Sequence, residues 1–204
     1  MVITRIETAK GWVGWRNLLF VKLHTDQGLY GIGEGTMAGK AETVEGAMYE
    51  FGRYLIGREP LGIERLWQGM YNGASRWRGG CAIQSAIAAL DMALWDIEGK
   101  RLGVPVWRLL GGPYWDSVRV YWTHWGAKWG ARTPQQLAQH IGEALAAGWT
   151  AVKFGGGGRR GETTEQEAIA DIAARVEAVR QAAGPELDMA VDVGERFTAR
   201  SAME

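Results

Sequence analysis

The stretch from Gly79 to Gly112, GGCAIQSAIAALDMALWDIEGKRLGVPVWRLLGG, constrains the fold more than any other. Ile83, Ile87, Leu90, Leu94 and Ile97 recur at steps of four, three, four and three, which marks one face of an α-helix. Gly99 and Gly103 follow the last periodic residues, and Val104-Pro105 forbids further helix. The diglycines Gly79-Gly80 and Gly111-Gly112 bracket the segment as backbone joints. The pattern predicts a long core helix followed by a short one, with Cys81 on the core helix as a small, inert hydrophobe.

A core of that kind needs a globular chain around it, and the composition provides one. Of 204 residues 47% are hydrophobic and 23% charged, enough for one or two domains. The 23 basic and 23 acidic residues cancel, which argues against nucleic acid or an anionic membrane as the main partner. No apolar run approaches the ~18 residues of a membrane span, and MVITRIETAK lacks the apolar centre of a secretory leader. A single cysteine allows no internal disulfide, so the cytoplasm is the expected compartment. Eleven tryptophans are unusual; cores and subunit interfaces claim most of them, and stacking on sugar faces is the other use.

The elements come in two styles. Val2 to Thr8, Leu18 to Thr25 and Tyr30 to Glu34 read as three strands of an antiparallel meander. Between the first two, the loop Ala9 to Asn17 carries Trp12, Trp15 and Arg16. Val44, Met48, Phe51 and Leu55 mark a helix ended by Gly57 and Pro60, and Ile63, Leu66, Trp67 and Met70 mark the next. Tyr71 to Arg78 reads as a loop into the core helix. Strands followed by helices make an α+β domain over residues 1–112.

From residue 113 the pattern alternates. Val118 to Thr123, Thr150 to Phe154 and Leu187 to Asp192 are strands. Thr133-Pro134-Gln135-Gln136 and Thr164-Glu165-Gln166-Glu167 are capping boxes opening the helices between them, and a further helix is expected from Phe197. Short strand-helix-strand connections mean right-handed parallel units.

The wording of the core stretch adds a resemblance. Ser85-Ala86-Ile87, Ala89-Leu90-Asp91, Ala93-Leu94-Trp95-Asp96-Ile97, Gly99-Lys100, Leu102 to Val106 and Leu109 to Gly112 resemble the end of the capping domain in the mandelate racemase/muconate-lactonizing branch of the enolase superfamily. The resemblance implies a capping domain at 1–112 and, at 113–204, the first three units of a (β/α)7β barrel truncated after its third strand. It implies a Mg²⁺-dependent enzyme that removes the proton next to a carboxylate, giving an enediolate that the metal holds; an acid-sugar dehydratase is preferred. Its partner is a small carboxylate, an acid sugar, and the full-length parent is expected to be a homo-oligomer. A racemase or cycloisomerase on the same scaffold, and a non-catalytic carbohydrate- or phosphate-binding module, are the alternatives.

In barrels of this type the chemistry sits at the C-terminal ends of the strands. Asp192, just past Met189-Ala190-Val191, matches the first of three metal carboxylates of the family; the alternative is an ordinary strand-end aspartate capping the next helix. Lys153 matches the second-strand lysine, a cation near the substrate carboxylate or enolate, or else a surface lysine. The family often has Lys-x-Lys here, with the second lysine as base; this chain has Gly155. Some acid-sugar dehydratases place a histidine two residues after the aspartate; this chain has Gly194. His124 and Trp122 at the first strand end are substrate-binding candidates, and the resemblance adds Trp15 and Arg16 in the hairpin loop over the barrel mouth. Gly155 to Gly158 with Arg159-Arg160-Gly161 approaches a phosphate loop, but Glu162-Thr163 stands where Lys-Ser/Thr is required, so it reads as a barrel loop. With one of three metal carboxylates and neither usual base, the 204-residue chain is not expected to be a competent enzyme alone.

Overall fold

The structure is a computed structural model that describes residues 1–14, 16–126, 133–156, 163–194 and 197–203. The chain divides into two compact units, Met1–Asp116 and Ser117–Glu204.

The first unit pairs a three-stranded antiparallel sheet, order β1-β2-β3, with helices. The strands are β1 (Ile3–Trp12), β2 (Asn17–Thr25) and β3 (Tyr30–Glu34). β1 runs four residues past its expected end at Thr8, because Gly11 and Trp12 continue the ladder opposite Leu18 and Asn17. The hairpin loop therefore shrinks to residues 13–16. Helices α1 (Ala41–Leu55) and α2 (Ile63–Gly73) come next, then a 3₁₀ turn (Ser75–Trp77) and the core helix α3 (Cys81–Leu102). The expected loop Tyr71 to Arg78 is thus mostly helical, with only a short kink before α3.

Helix α3 touches β2 and β3 as well as α1 and α2, so it is buried on more than one face: Ala86, Ile87, Ala89, Leu90, Ala93, Leu94 and Ile97 are all closed to solvent. Its approach to β3 is close enough that a Cβ on Gly31 would fall on the Ala93 carbonyl oxygen, and one on Gly33 on that of Ala89. Gly99, expected beyond the helix, lies inside it; the end comes at Gly103, with φ of 68° and the Val104 N–H returning to the Gly99 carbonyl at 2.9 Å. Cys81 departs from its expected packed role. It is the first residue of α3 and is exposed, whereas its neighbours Ala82 and Ile83 pack against the core. The short helix α4 (Val106–Leu109) closes the unit.

The second unit is a parallel sheet, order β4-β5-β6, with two helices in β/α alternation. Its elements are β4 (Trp122–Thr123), α5 (Pro134–Ala146), β5 (Ala151–Gly155), α6 (Glu165–Ala183) and β6 (Asp188–Asp192). Both capping boxes form: Thr133 with Gln136 and Thr164 with Glu167 each exchange side-chain and backbone bonds. One face of the sheet, with Val152 and Phe154, packs on Leu137 and Ile141 of α5 and Val179 of α6, with Met189 and Val191 alongside. Two expectations change. The first strand is two residues long instead of Val118 to Thr123, since only Trp122 and Thr123 find partners, Val152 and Lys153; Val118 and Val120 stay exposed. Past Phe197 the described chain forms turns where a helix was expected. Glu165 at the start of α6 accepts bonds from Thr198 and Ser201 and ties that segment down. No helix among the described residues is long and apolar enough to cross a membrane.

Candidate functional site

Side chains alternate across a strand, so the face of the parallel sheet turned from the helices carries Thr123, Lys153, Ala190 and Asp192. The register sets Thr123 beside Lys153, Lys153 beside Ala190, and Gly155 beside Asp192. Lys153 and Asp192 are therefore offset by one same-face step along neighbouring strands, a gap the long lysine stem spans. Its Nζ donates to Asp192 Oδ2 at 3.0 Å, and Asp192 Oδ1 accepts the Gly194 N–H at 3.1 Å. The ammonium also lies 5.7 Å from the centre of the Tyr121 ring.

The hydrogen bond from Lys153 to the Asp192 carboxylate, with that group's negative charge, holds the ammonium above the usual lysine range against the desolvation that opposes it. The pair favours the charged ammonium, which can bind an anion or steady growing negative charge.

A cavity of about 360 Å³ wraps over the strand tips. Its lining includes Thr123, His124, Trp125, Lys153, Arg175 and Asp192. His124 has φ of 56°, a left-handed conformation costing about 1 kcal/mol for a residue with a Cβ. That turn carries the chain from the short strand into the buried Trp125, 1% exposed, whose ring meets Phe154 edge-on at 6.3 Å. The Trp125 indole N–H is shielded from solvent and has no hydrogen-bond partner among the described residues.

The structure thus brings Lys153, Asp192 and His124 to one cavity. Trp122 does not line it: it lies on the helix-facing side and packs on Trp149 at 5.7 Å between ring centres. Arg16 belongs to the first unit, where its carbonyl accepts the Val13 N–H. Trp15 lies outside the described residues, as does most of the glycine loop, residues 157–162. Sequence reasoning missed Trp125 and Arg175. Arg175 sits among the apolar positions of α6 with nothing in the spacing to single it out; only the fold shows that it reaches the strand tips.

Among the described residues no three His, Cys, Asp or Glu side chains gather as a metal site. Asp192 is one carboxylate, and its oxygens already accept from Lys153 and Gly194. A Mg²⁺ ion asks for about six oxygens in near-octahedral array, so the described residues do not make a Mg²⁺ site by themselves.

Comparison with known proteins fits this architecture. Residues 1–111 match the mandelate racemase/muconate lactonizing enzyme N-terminal domain, and residues 136–204 match the enolase C-terminal domain-like family. The chain belongs to the mandelate racemase/muconate lactonizing enzyme branch of the enolase superfamily. It is 41% identical over 203 residues to a D-galactonate dehydratase of Variovorax paradoxus (strain S110), covering 99% of this chain and 50% of that protein. A candidate dehydratase from Mesorhizobium loti superposes with a TM-score of 0.87 at 36% identity, over 95% of this chain and 53% of that one. A candidate L-alanine-DL-glutamate epimerase from Burkholderia xenovorans strain LB400, bound to magnesium and fumarate, superposes with a TM-score of 0.81 at 26% identity, over 94% and 54%. The chain spans about half the length of the curated relatives it matches.

Proposed function

We propose that this chain is the capping and early-barrel portion of a sugar-acid dehydratase, an enzyme that removes the proton next to a carboxylate and the neighbouring hydroxyl as water. The observation that carries the reading is the Lys153–Asp192 pair at the tips of adjacent parallel strands, where barrels of this kind keep their chemistry. The D-galactonate dehydratase relatives supply the substrate class, a polyhydroxylated carboxylate.

In this reading Lys153 is the cation that receives the substrate carboxylate and steadies the negative charge that grows on it as the proton leaves. Asp192 keeps that ammonium charged and aimed, and would supply one of three carboxylates to a Mg²⁺ ion. The other two, and the proton acceptor, would belong to the part of the relatives' length that this chain does not span. Gly155 and Gly194 have no side chain with which to take a proton. The 204 residues alone would then not turn over substrate, and the working enzyme would be a cytoplasmic homo-oligomer.

The test is D-galactonate dehydration by a protein spanning the relatives' full length, with Lys153→Met and Asp192→Ala beside the parent. Lys153→Met should lower kcat by about 10²-fold, and Asp192→Ala should abolish turnover with the fold intact. A change confined to KM in the lysine variant would reduce Lys153 to ordinary substrate binding. Parental kinetics in Asp192→Ala would overturn the reading.

A further inference from the structure

Lys153 stands on the middle strand of the parallel sheet, and the Asp192 carboxylate holds its ammonium from the β6 side. A flexible lysine stem held from one side only is free to swing to the other. On that other side stands Tyr121. It is the residue just before β4, and strand alternation sets it on the face that Thr123 shares with Lys153. Its ring centre lies 5.7 Å from Lys153 Nζ, within the range over which an ammonium is drawn to an aromatic face. The lysine side chain is 26% exposed, so water screens that attraction only in part.

The ring is kept there by ties on both sides of it along the chain. Residues 119–121 have no ladder partner among the described residues. Arg119 nevertheless fastens the segment to the opposite end of the sheet: its Nη1 pairs with Asp188 Oδ2 at 2.6 Å, at the start of β6, and its Nη2 donates to the Thr150 carbonyl, just before β5, at 3.4 Å. The second tie is Trp122, which enters the ladder beside Val152. Tyr121 lies between the two. It is 50% exposed, so burial in a core does not account for an aromatic ring at this position.

We propose that Tyr121 is a positioning residue for the dehydration: its ring on the β4 side and the Asp192 carboxylate on the β6 side hold the Lys153 ammonium over the middle strand. The assignment rests on the sugar-acid reading above and adds to it the residue that aims the cation. Tyr121 acts through Lys153 and touches no reacting atom.

Kinetics of D-galactonate dehydration by the protein spanning the relatives' full length test it. Tyr121→Leu should lower kcat by about three- to tenfold, in the same direction as Lys153→Met but less deeply. Tyr121→Phe keeps the ring face and should hold kcat within about twofold of the parent. In the Lys153→Met background Tyr121→Leu should change kcat by less than about twofold, because the group it aims is gone. Progressively fluorinated phenylalanine at position 121 keeps the ring shape but withdraws electrons from its face, so kcat should fall in step with fluorination. A folded Tyr121→Leu protein with parental kcat overturns the assignment. A Tyr121→Phe loss as large as that of Tyr121→Leu also overturns it, by giving the role to the phenol hydroxyl. So does a Tyr121→Leu loss undiminished in the Lys153→Met background, which would make the ring a packing residue. If Tyr121→Leu does not fold, a flat response to fluorination overturns the assignment equally. Each of these outcomes leaves the sugar-acid reading in place, whereas a parent that dehydrates neither D-galactonate nor its epimeric aldonates overturns both.

Discussion

Asp96 Oδ2, on the core helix, accepts the backbone N–H of Ile32 at 2.8 Å. Ile32 belongs to β3, the edge strand of the antiparallel sheet, so this N–H faces away from β2. Lys100, one turn further along α3, pairs with the same carboxylate at 2.7 Å and donates to the Tyr30 carbonyl at 2.8 Å. Two groups that an edge strand would leave open are thus taken by α3. Asp96→Ala should destabilise the first unit by about 1–2 kcal/mol in urea unfolding. Asp96→Asn, which keeps an acceptor, should recover part of that loss; equal losses in both would show that the edge amide contributes nothing.

The close approach of β3 to α3 predicts a sharp contrast between two glycines of similar secondary structure. Gly33→Ala puts a methyl group onto the Ala89 backbone and should cost about 3 kcal/mol, because neither backbone can retreat without opening the core. Gly11→Ala in β1, with nothing within 4 Å of its Cβ position, should stay within about 0.5 kcal/mol of the parent. Comparable melting temperatures for the two variants would refute the close-packing argument.

Asp91 supplies a pH dependence. Its desolvation on α3, reinforced by the negative charge of Glu64 and opposed by a hydrogen bond from Trp95, raises its pKa above the usual aspartate value. A raised folded-state pKa means that the folded protein holds its proton more tightly than the unfolded chain. Burying this carboxyl therefore costs stability once it ionises, and the cost disappears as pH falls below the unfolded value. Asp91→Asn should raise the melting temperature at pH 7, and the gain should shrink steadily toward pH 4. A gain independent of pH would place its origin elsewhere.

Trp125 allows a test of a buried donor that has no partner among the described residues. Leaving an N–H without a partner costs about 1–3 kcal/mol, so its removal offsets part of the packing lost with a smaller ring. Trp125→Phe should therefore change unfolding free energy by no more than about 1 kcal/mol, far less than the ~3–5 kcal/mol expected for truncation of this ring to alanine. A loss on the alanine scale would mean that the indole N–H is satisfied in solution.

Much of this architecture is legible in the sequence because its signals are local. The apolar spacing from Ile83 to Ile97 marks α3, and the Thr133 and Thr164 boxes mark the starts of α5 and α6. Where the signal depends on a partner elsewhere in the chain, the reading slips. The length of β1 is set by the ladder to Asn17 and Leu18, the shortness of β4 by how little of β5 it meets, and the exposure of Cys81 by which residues of the first turn of α3 face the core. The site divides the same way. Lys153 and Asp192 stand at strand ends that their own segments announce, whereas Arg175 reaches the cavity only through a contact with Gly156, nineteen positions away.

The two capping boxes have a consequence for how such a barrel diversifies. Each fixes the first turn of its helix from within, through a threonine and the residue three places on. The stretches ahead of Thr133 and Thr164, which lead on from the cavity-lining strand ends, can therefore be lengthened, shortened or rewritten without shifting the register of α5 or α6 against the sheet. The start of each helix and the connection that leads to it are thus separate parts of each unit, so selection can change one while the other stays fixed.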